Sequence, residues 1–95
     1  MNYTSVPGAS NEHEVKVYSL STCPHCTDAK NYFKKKKISF KYLDLDKATR
    51  DEKREITLFL KGHNLPIAFP VIAIDDDVIQ GFDQAKIEKC LFPES

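Results

Sequence analysis

Two cysteines separated by a proline and a histidine, Cys23-Pro24-His25-Cys26, are the residues of this chain best suited to chemistry. Thiolates, not thiols, attack disulfides and bind metals, so a C-x-x-C serves either dithiol–disulfide exchange or half of a metal site. Pro24 suits the first turn of a helix, where its missing N–H costs nothing. Cys23 then falls at the helix cap, where unpaired N–H groups and the macrodipole favour an anion. Cys26 lies one turn on, in line with Ala29 and Phe33, and faces inward. The spacing therefore assigns Cys23 as the attacking nucleophile and Cys26 as the resolving thiol that breaks the mixed disulfide. Thr22 flanks Cys23 in the active-site loop. His25, when protonated, adds a positive charge that favours the Cys23 anion and a more oxidising pair.

The competing chemistry is zinc, which in structural sites takes four Cys or His ligands. The remaining donors would have to come from Cys90, His13, His25 and His63, none of which forms a second close-spaced pair. Redox chemistry is favoured and no metal site is expected. Cys90, beside Ile87 and Leu91, reads as a small buried hydrophobe. His63 reads as a polar residue at a helix end, and Lys34–Lys37 as a solvated helix end. Tyr32, Phe33, Phe40 and Tyr42 read as core or sheet-face aromatics.

The elements that position the pair follow from periodicity. Glu14–Leu20 reads as a strand with Val15 and Val17 on one face. A helix runs from the cysteine pair to about Lys36, its lysines gathered where positive charge suits the macrodipole. Ile38–Leu45 alternates as a second strand, and Lys47 to about Lys61 forms a second helix stopped by Gly62. A loop containing Pro66 leads to Val71–Ile74, the Asp75-Asp76-Asp77 turn and the strand Val78–Gln80, a hairpin. Gln84–Leu91 is the closing helix. The first two strands, linked by a helix, are parallel with a right-handed crossover, whereas the last two are antiparallel. The expectation is an α/β fold, β-α-β-α-β-β-α, with a four-stranded mixed sheet flanked by three helices.

Size and composition bound the rest. A chain of 95 residues makes one domain with a modest core. Residues 1–13 lack helical or strand periodicity and read as a flexible leader, leaving 14–95 as the domain. Lys and Arg total 14, as do Asp and Glu; phosphate binding needs a positive excess, so nucleic acid is not expected as a partner. No stretch is long and apolar enough to span a membrane. The polar start lacks a signal-peptide core, so a cytoplasmic protein is expected.

The motifs match a known pattern. Val15-Lys16-Val17-Tyr18-Ser19 followed by Cys23-Pro24-His25-Cys26 resembles the opening of the glutaredoxins. Phe69-Pro70-Val71-Ile72 resembles their cis-proline segment, and Gly81-Phe82-Asp83 the glycine turn before their last helix. The resemblance covers about residues 14–92 and implies the thioredoxin fold and a thiol–disulfide oxidoreductase. It implies that Cys23 and Cys26 are the catalytic pair and that Pro70 is cis beside it. It also implies that Phe69 pairs its backbone with the substrate and that Gly81, Phe82 and Asp83 border the substrate groove. Asp83 has two readings, as the cap of the last helix and as a contact for a glutathione amine.

Departures from the pattern bear on the substrate. Where many members carry Lys or Arg for a glutathione carboxylate, this chain has Leu20. Thr-Val-Pro becomes Ala68-Phe69-Pro70, and a double glycine becomes Gly81-Phe82. The chain thus looks more like glutaredoxin-like redoxins with a Cys-Pro-His-Cys site than like the glutathione-binding members. Weak glutathione use is expected, with glutathione or a thioredoxin-reductase-type enzyme as electron donor and no bound cofactor. Substrates are disulfides of proteins or small molecules, and the protein is expected to be a monomer. Two alternatives use the same fold: an iron–sulfur cluster carrier, disfavoured by Pro24, Cys26 and the eroded glutathione site, and a metal-binding adaptor.

Overall fold

The computed structural model describes residues 2–92. Strands β1 (Thr4–Val6), β2 (Val15–Ser19), β3 (Phe40–Asp44), β4 (Val71–Ile74) and β5 (Asp77–Gln80) form one sheet of order β1-β3-β2-β4-β5. Helices α1 (Pro24–Lys35), α2 (Arg50–Gly62) and α3 (Gln84–Leu91) cover it, with a 3-10 turn over Leu45–Lys47. β2 and β3 are parallel, while β1–β3, β2–β4 and β4–β5 are antiparallel. The mixed sheet and three helices are those expected.

The period-2 pleat divides the core into two layers. Val15 and Val17 point with Ile72 and Ile74 into a layer closed by Ala29 and Phe33 of α1 and Ile87 and Leu91 of α3. Tyr18 and Val71 face the other way, against Ile56 and Leu60 of α2. Phe33, Ile72, Ile87 and Leu60 are fully buried, each worth about 1.5–3 kcal/mol relative to exposure.

One expectation is corrected. The segment expected to be a flexible leader supplies the fifth strand: Thr4, Ser5 and Val6 pair with Tyr42, Lys41 and Phe40. Three residues are too few for alternation to register, and what fixes them is pairing with a strand far along the chain. Farther on, Ser10 N–H donates to Lys37 O at 3.0 Å and Ser39 N–H donates to Ser10 O at 2.8 Å. Residue 1 of that segment and residues 93–95 of the expected domain lie outside the described residues.

Smaller shifts have local causes. α2 begins at Arg50, not Lys47, because Thr49 and Glu52 form a reciprocal capping box, with bonds of 3.1 and 2.9 Å. The same helix includes Gly62, and the positive-φ residue beyond it is Asn64 at 56°. The Asp75-Asp76-Asp77 cluster turns the hairpin as expected, with Asp75 at φ 54°.

Candidate active site

Antiparallel pairing of β2 with β4 and of β4 with β5 brings three sequence-distant segments to one end of the sheet. The end of β2 runs into the cysteine loop, β4 starts at Pro70, and β5 finishes before Gly81. Gly81 N–H donates to Pro70 O at 2.7 Å and ties two of them together. Gly81 has φ 83°, a conformation suited to glycine. The Phe69–Pro70 peptide bond is cis, as the resemblance implied.

Cys23 is the N-cap of α1 and Pro24 opens the helix. The Cys26 backbone N–H donates to Cys23 Sγ at 3.4 Å. The cap is braced by Cys23 N–H to Leu20 O and Thr27 N–H to Cys23 O, both at 3.1 Å. Cys23 is half-buried, whereas Cys26 is fully buried. Burial, then the hydrogen bond with Cys23, pushes the Cys26 thiol up to about 12, partly opposed by the Leu20 N–H and the charge of Lys30. The two sulfurs, both free thiols, thus differ in accessibility in the sense that the spacing assigned. Thr22, Pro24 and His25 are exposed around Cys23.

The expected groove residues divide. Phe69 is half-buried and lines, with Leu20, Ile67, Ile56 and Leu60, an apolar groove of about 300 Å³. Phe82 instead turns its ring toward the core, 5.7 Å from Tyr32 in an edge-on arrangement. Asp83 caps α3, accepting the Lys86 N–H at 3.2 Å. Cys90 packs against the core, and burial, with Asp77 beside it, raises its thiol above the ordinary range. His63 is the C-cap of α2 with its ring 4.6 Å from that of Phe59. Among the described residues no three His, Cys, Asp or Glu side chains are grouped to hold a metal, and no helix is long and apolar enough to cross a membrane.

Two features escaped the sequence reading. Asp46 accepts both the backbone N–H of Ser21, at 2.9 Å, and its hydroxyl. One helical turn after Cys26, Lys30 Nζ lies 2.8 Å from Asp44 Oδ1, and Ser19 Oγ donates to the same oxygen at 2.6 Å. Both join residues far apart in sequence, and no local pattern marks them.

Comparison with known proteins agrees with this geometry. The glutaredoxin family model matches residues 15–79. An uncharacterised glutaredoxin-like 8.6 kDa protein in the rubredoxin operon of Clostridium pasteurianum is 38% identical over 77 residues, 81% of this chain and 96% of the relative. The crystal structure of a glutaredoxin from Methanosarcina mazei superposes with a TM-score of 0.84 at 27% identity, covering 97% of this chain and 89% of that one. Methanosarcina acetivorans methanoredoxin gives 0.79 at 26% identity, with 90% of each chain covered. The chain belongs to the glutaredoxin family. Family and fold together support a thiol–disulfide oxidoreductase-like role.

Proposed function

We propose that this protein is a dithiol–disulfide oxidoreductase in which Cys23 attacks a disulfide and Cys26 resolves the resulting mixed disulfide. The observation that carries the reading is the asymmetry of the pair: Cys23 Sγ caps α1 and accepts an N–H from Cys26, whose own sulfur is sealed beneath it. An accessible sulfur meets the substrate, and an enclosed one reaches only Cys23. Phe69 and Pro70 flank the entering disulfide on one side, and the backbone of the Gly81-Phe82-Asp83 turn borders it on another. Thr22, Pro24 and His25 form the rim.

The substrates are disulfides of proteins or small molecules, and a thioredoxin-reductase-type enzyme serves the pair better than glutathione. Leu20 supports this preference, because it faces an apolar groove where a carboxylate finds no cation from that position. The protein works as a cytoplasmic monomer without a bound cofactor.

The test is reduction of insulin disulfides by the purified protein, driven in parallel by NADPH with thioredoxin reductase and by glutathione with glutathione reductase. Turnover is expected mainly with the first system. Cys23→Ser should abolish it, and Cys26→Ser should leave a mixed disulfide visible by mass spectrometry. Electron transfer that survives Cys23→Ser, or purification as a brown cluster-bearing dimer, overturns the reading; equal turnover with glutathione overturns the donor preference.

A further inference from the structure

The exchange ends with a chemical difficulty that the cysteines alone do not solve. Cys26 must become an anion while fully buried, in a setting that holds its proton. The Leu20 backbone and Lys30 favour that anion, and in the reduced pair the sulfur of Cys23 opposes it.

Lys30 stands out from the other lysines of α1. It lies four residues after Cys26, on the same helical face. Its side chain is 15% exposed, whereas Lys34 and Lys35 are exposed. Its ammonium is held at two points, Asp44 Oδ1 at 2.8 Å and the Tyr42 ring 4.1 Å away, and Ser19 fixes that carboxylate by donating to it. Ser19 and Asp44 are register partners on the parallel strands β2 and β3, so the sheet itself fixes the anchor. An ion pair drawn largely out of water is a poor stabilising device, since apolar residues of similar volume often do as well or better. Its place one helical turn after the resolving cysteine, near enough for its charge to bear on that thiol, gives it another use.

We infer that Lys30, held by Asp44 and Ser19, is a positioning residue for the resolving step, its ammonium offsetting the charge that forms on Cys26 Sγ. The inference rests on the proposed roles of the two cysteines. In the step, Cys26 loses its thiol proton and its sulfur forms a bond to Cys23 Sγ. The Cys23–substrate S–S bond breaks, and its electron pair leaves on the substrate sulfur, which takes up a proton. The dithiol is oxidised by two electrons and the substrate disulfide is reduced. Asp44 keeps the ammonium from swinging to solvent, as an unanchored lysine would.

A chromogenic aryl disulfide separates the two halves in a single turnover, because the first aryl thiolate released reports attack by Cys23 and the second reports resolution by Cys26. In Lys30→Met the first release should keep its rate. The second should slow about tenfold near neutral pH, its pH profile moving up by about one unit, since one pKa unit is a factor of ten in the anion. Lys30→Arg, which keeps the charge, should restore most of the loss. Equal slowing of both releases, a second release unchanged in rate and pH profile, or failure of Lys30→Arg to rescue overturns the inference. If Lys30→Met does not fold by circular dichroism, Ser19→Ala takes its place, and a second release unaffected by it is equally decisive. Absence of any first release from the wild-type protein sinks the proposed function itself, a result distinct from loss of the second phase alone.

Discussion

Asp46, on the 3-10 turn before α2, grips Ser21, two residues ahead of Cys23, by both its backbone N–H and its hydroxyl. The Ser21 hydroxyl, then its N–H, holds the Asp46 carboxyl below the usual carboxylate range. The loop that presents the nucleophile is thereby clamped to the turn that follows β3. Asp46→Ala should lower kcat/KM for a protein disulfide by about tenfold, within the ~10²-fold that a misplacement of about 1 Å can cost. The clamp is solvent-exposed, so the thermal midpoint should barely move. A variant with wild-type kcat/KM would show that the loop keeps its geometry without Asp46.

The edge strand gives a stability prediction. A Cβ added at Gly8 would sit 2.6 Å from the Ile38 carbonyl carbon, Lys37 O and Ser39 N, all backbone atoms that cannot step aside alone. Gly8→Ala should therefore push the N-terminal segment away from the start of β3. The cost is about 1–3 kcal/mol, as for other overpacked sites, read by urea unfolding. The active site lies at the other end of the sheet, so Cys23 alkylation should be unchanged. Unfolding at the wild-type midpoint would mean that the segment detaches at no cost.

A titrating clasp sits at that same far end. His13 Nδ1 lies 2.6 Å from Asp75 Oδ2, and Glu14 N–H donates to Asp75 Oδ1 at 2.9 Å. Asp75 raises the His13 pKa, mainly by the hydrogen bond, and His13 lowers that of Asp75. A raised histidine stabilises below its unfolded pKa and loses this as pH climbs through the folded value; a lowered carboxyl stabilises above its unfolded pKa and loses this on acidification. The clasp therefore acts most between the unfolded values, 3.8 and 6.5. His13→Gln should lower the urea midpoint at about pH 5.5 more than at about pH 8. A mutational loss independent of pH would mean that the charges of His13 and Asp75 add nothing to stability.

How much was legible in the sequence depended on the range of the signal. The cysteine cap, Pro24 at the helix start, the inward face of Cys26 and the Asp83 cap are written within one or two turns of chain, and the structure has each where the spacing placed it. The Thr49–Glu52 capping box is just as local, and its four-residue pattern could have moved the expected start of α2 from Lys47 to Arg50. The β1 strand, the Asp46 clamp and the Lys30–Asp44–Ser19 cluster could not be read this way. Each joins residues brought together only by strand pairing or a helix crossing the sheet. Phe82 shows the same limit in reverse: its position by the glycine turn suggested bulk in the groove, yet Tyr32 draws its ring toward the core.

Leu20 offers the most direct way to test what the groove excludes. Its backbone carbonyl anchors the Cys23 N–H at 3.1 Å, and its side chain joins Phe69 and Ile67 in lining the apolar groove. Lys53 also borders that groove, so a cation is present at the rim, but on α2 rather than on the cysteine loop. Leu20→Lys would place an ammonium on the loop itself, with its methylene stem still covering apolar surface. A carboxylate entering beside Cys23 would then meet a charged donor, worth about 1.5 kcal/mol at the low end of such bonds. That corresponds to about a tenfold fall in KM for a glutathione mixed disulfide, with kcat little changed, because the new contact acts on binding rather than on the sulfur exchange. The gain should shrink as salt is raised, since the position is only half-buried. An unchanged KM would mean that the apolar character of Leu20 is not what limits glutathione here.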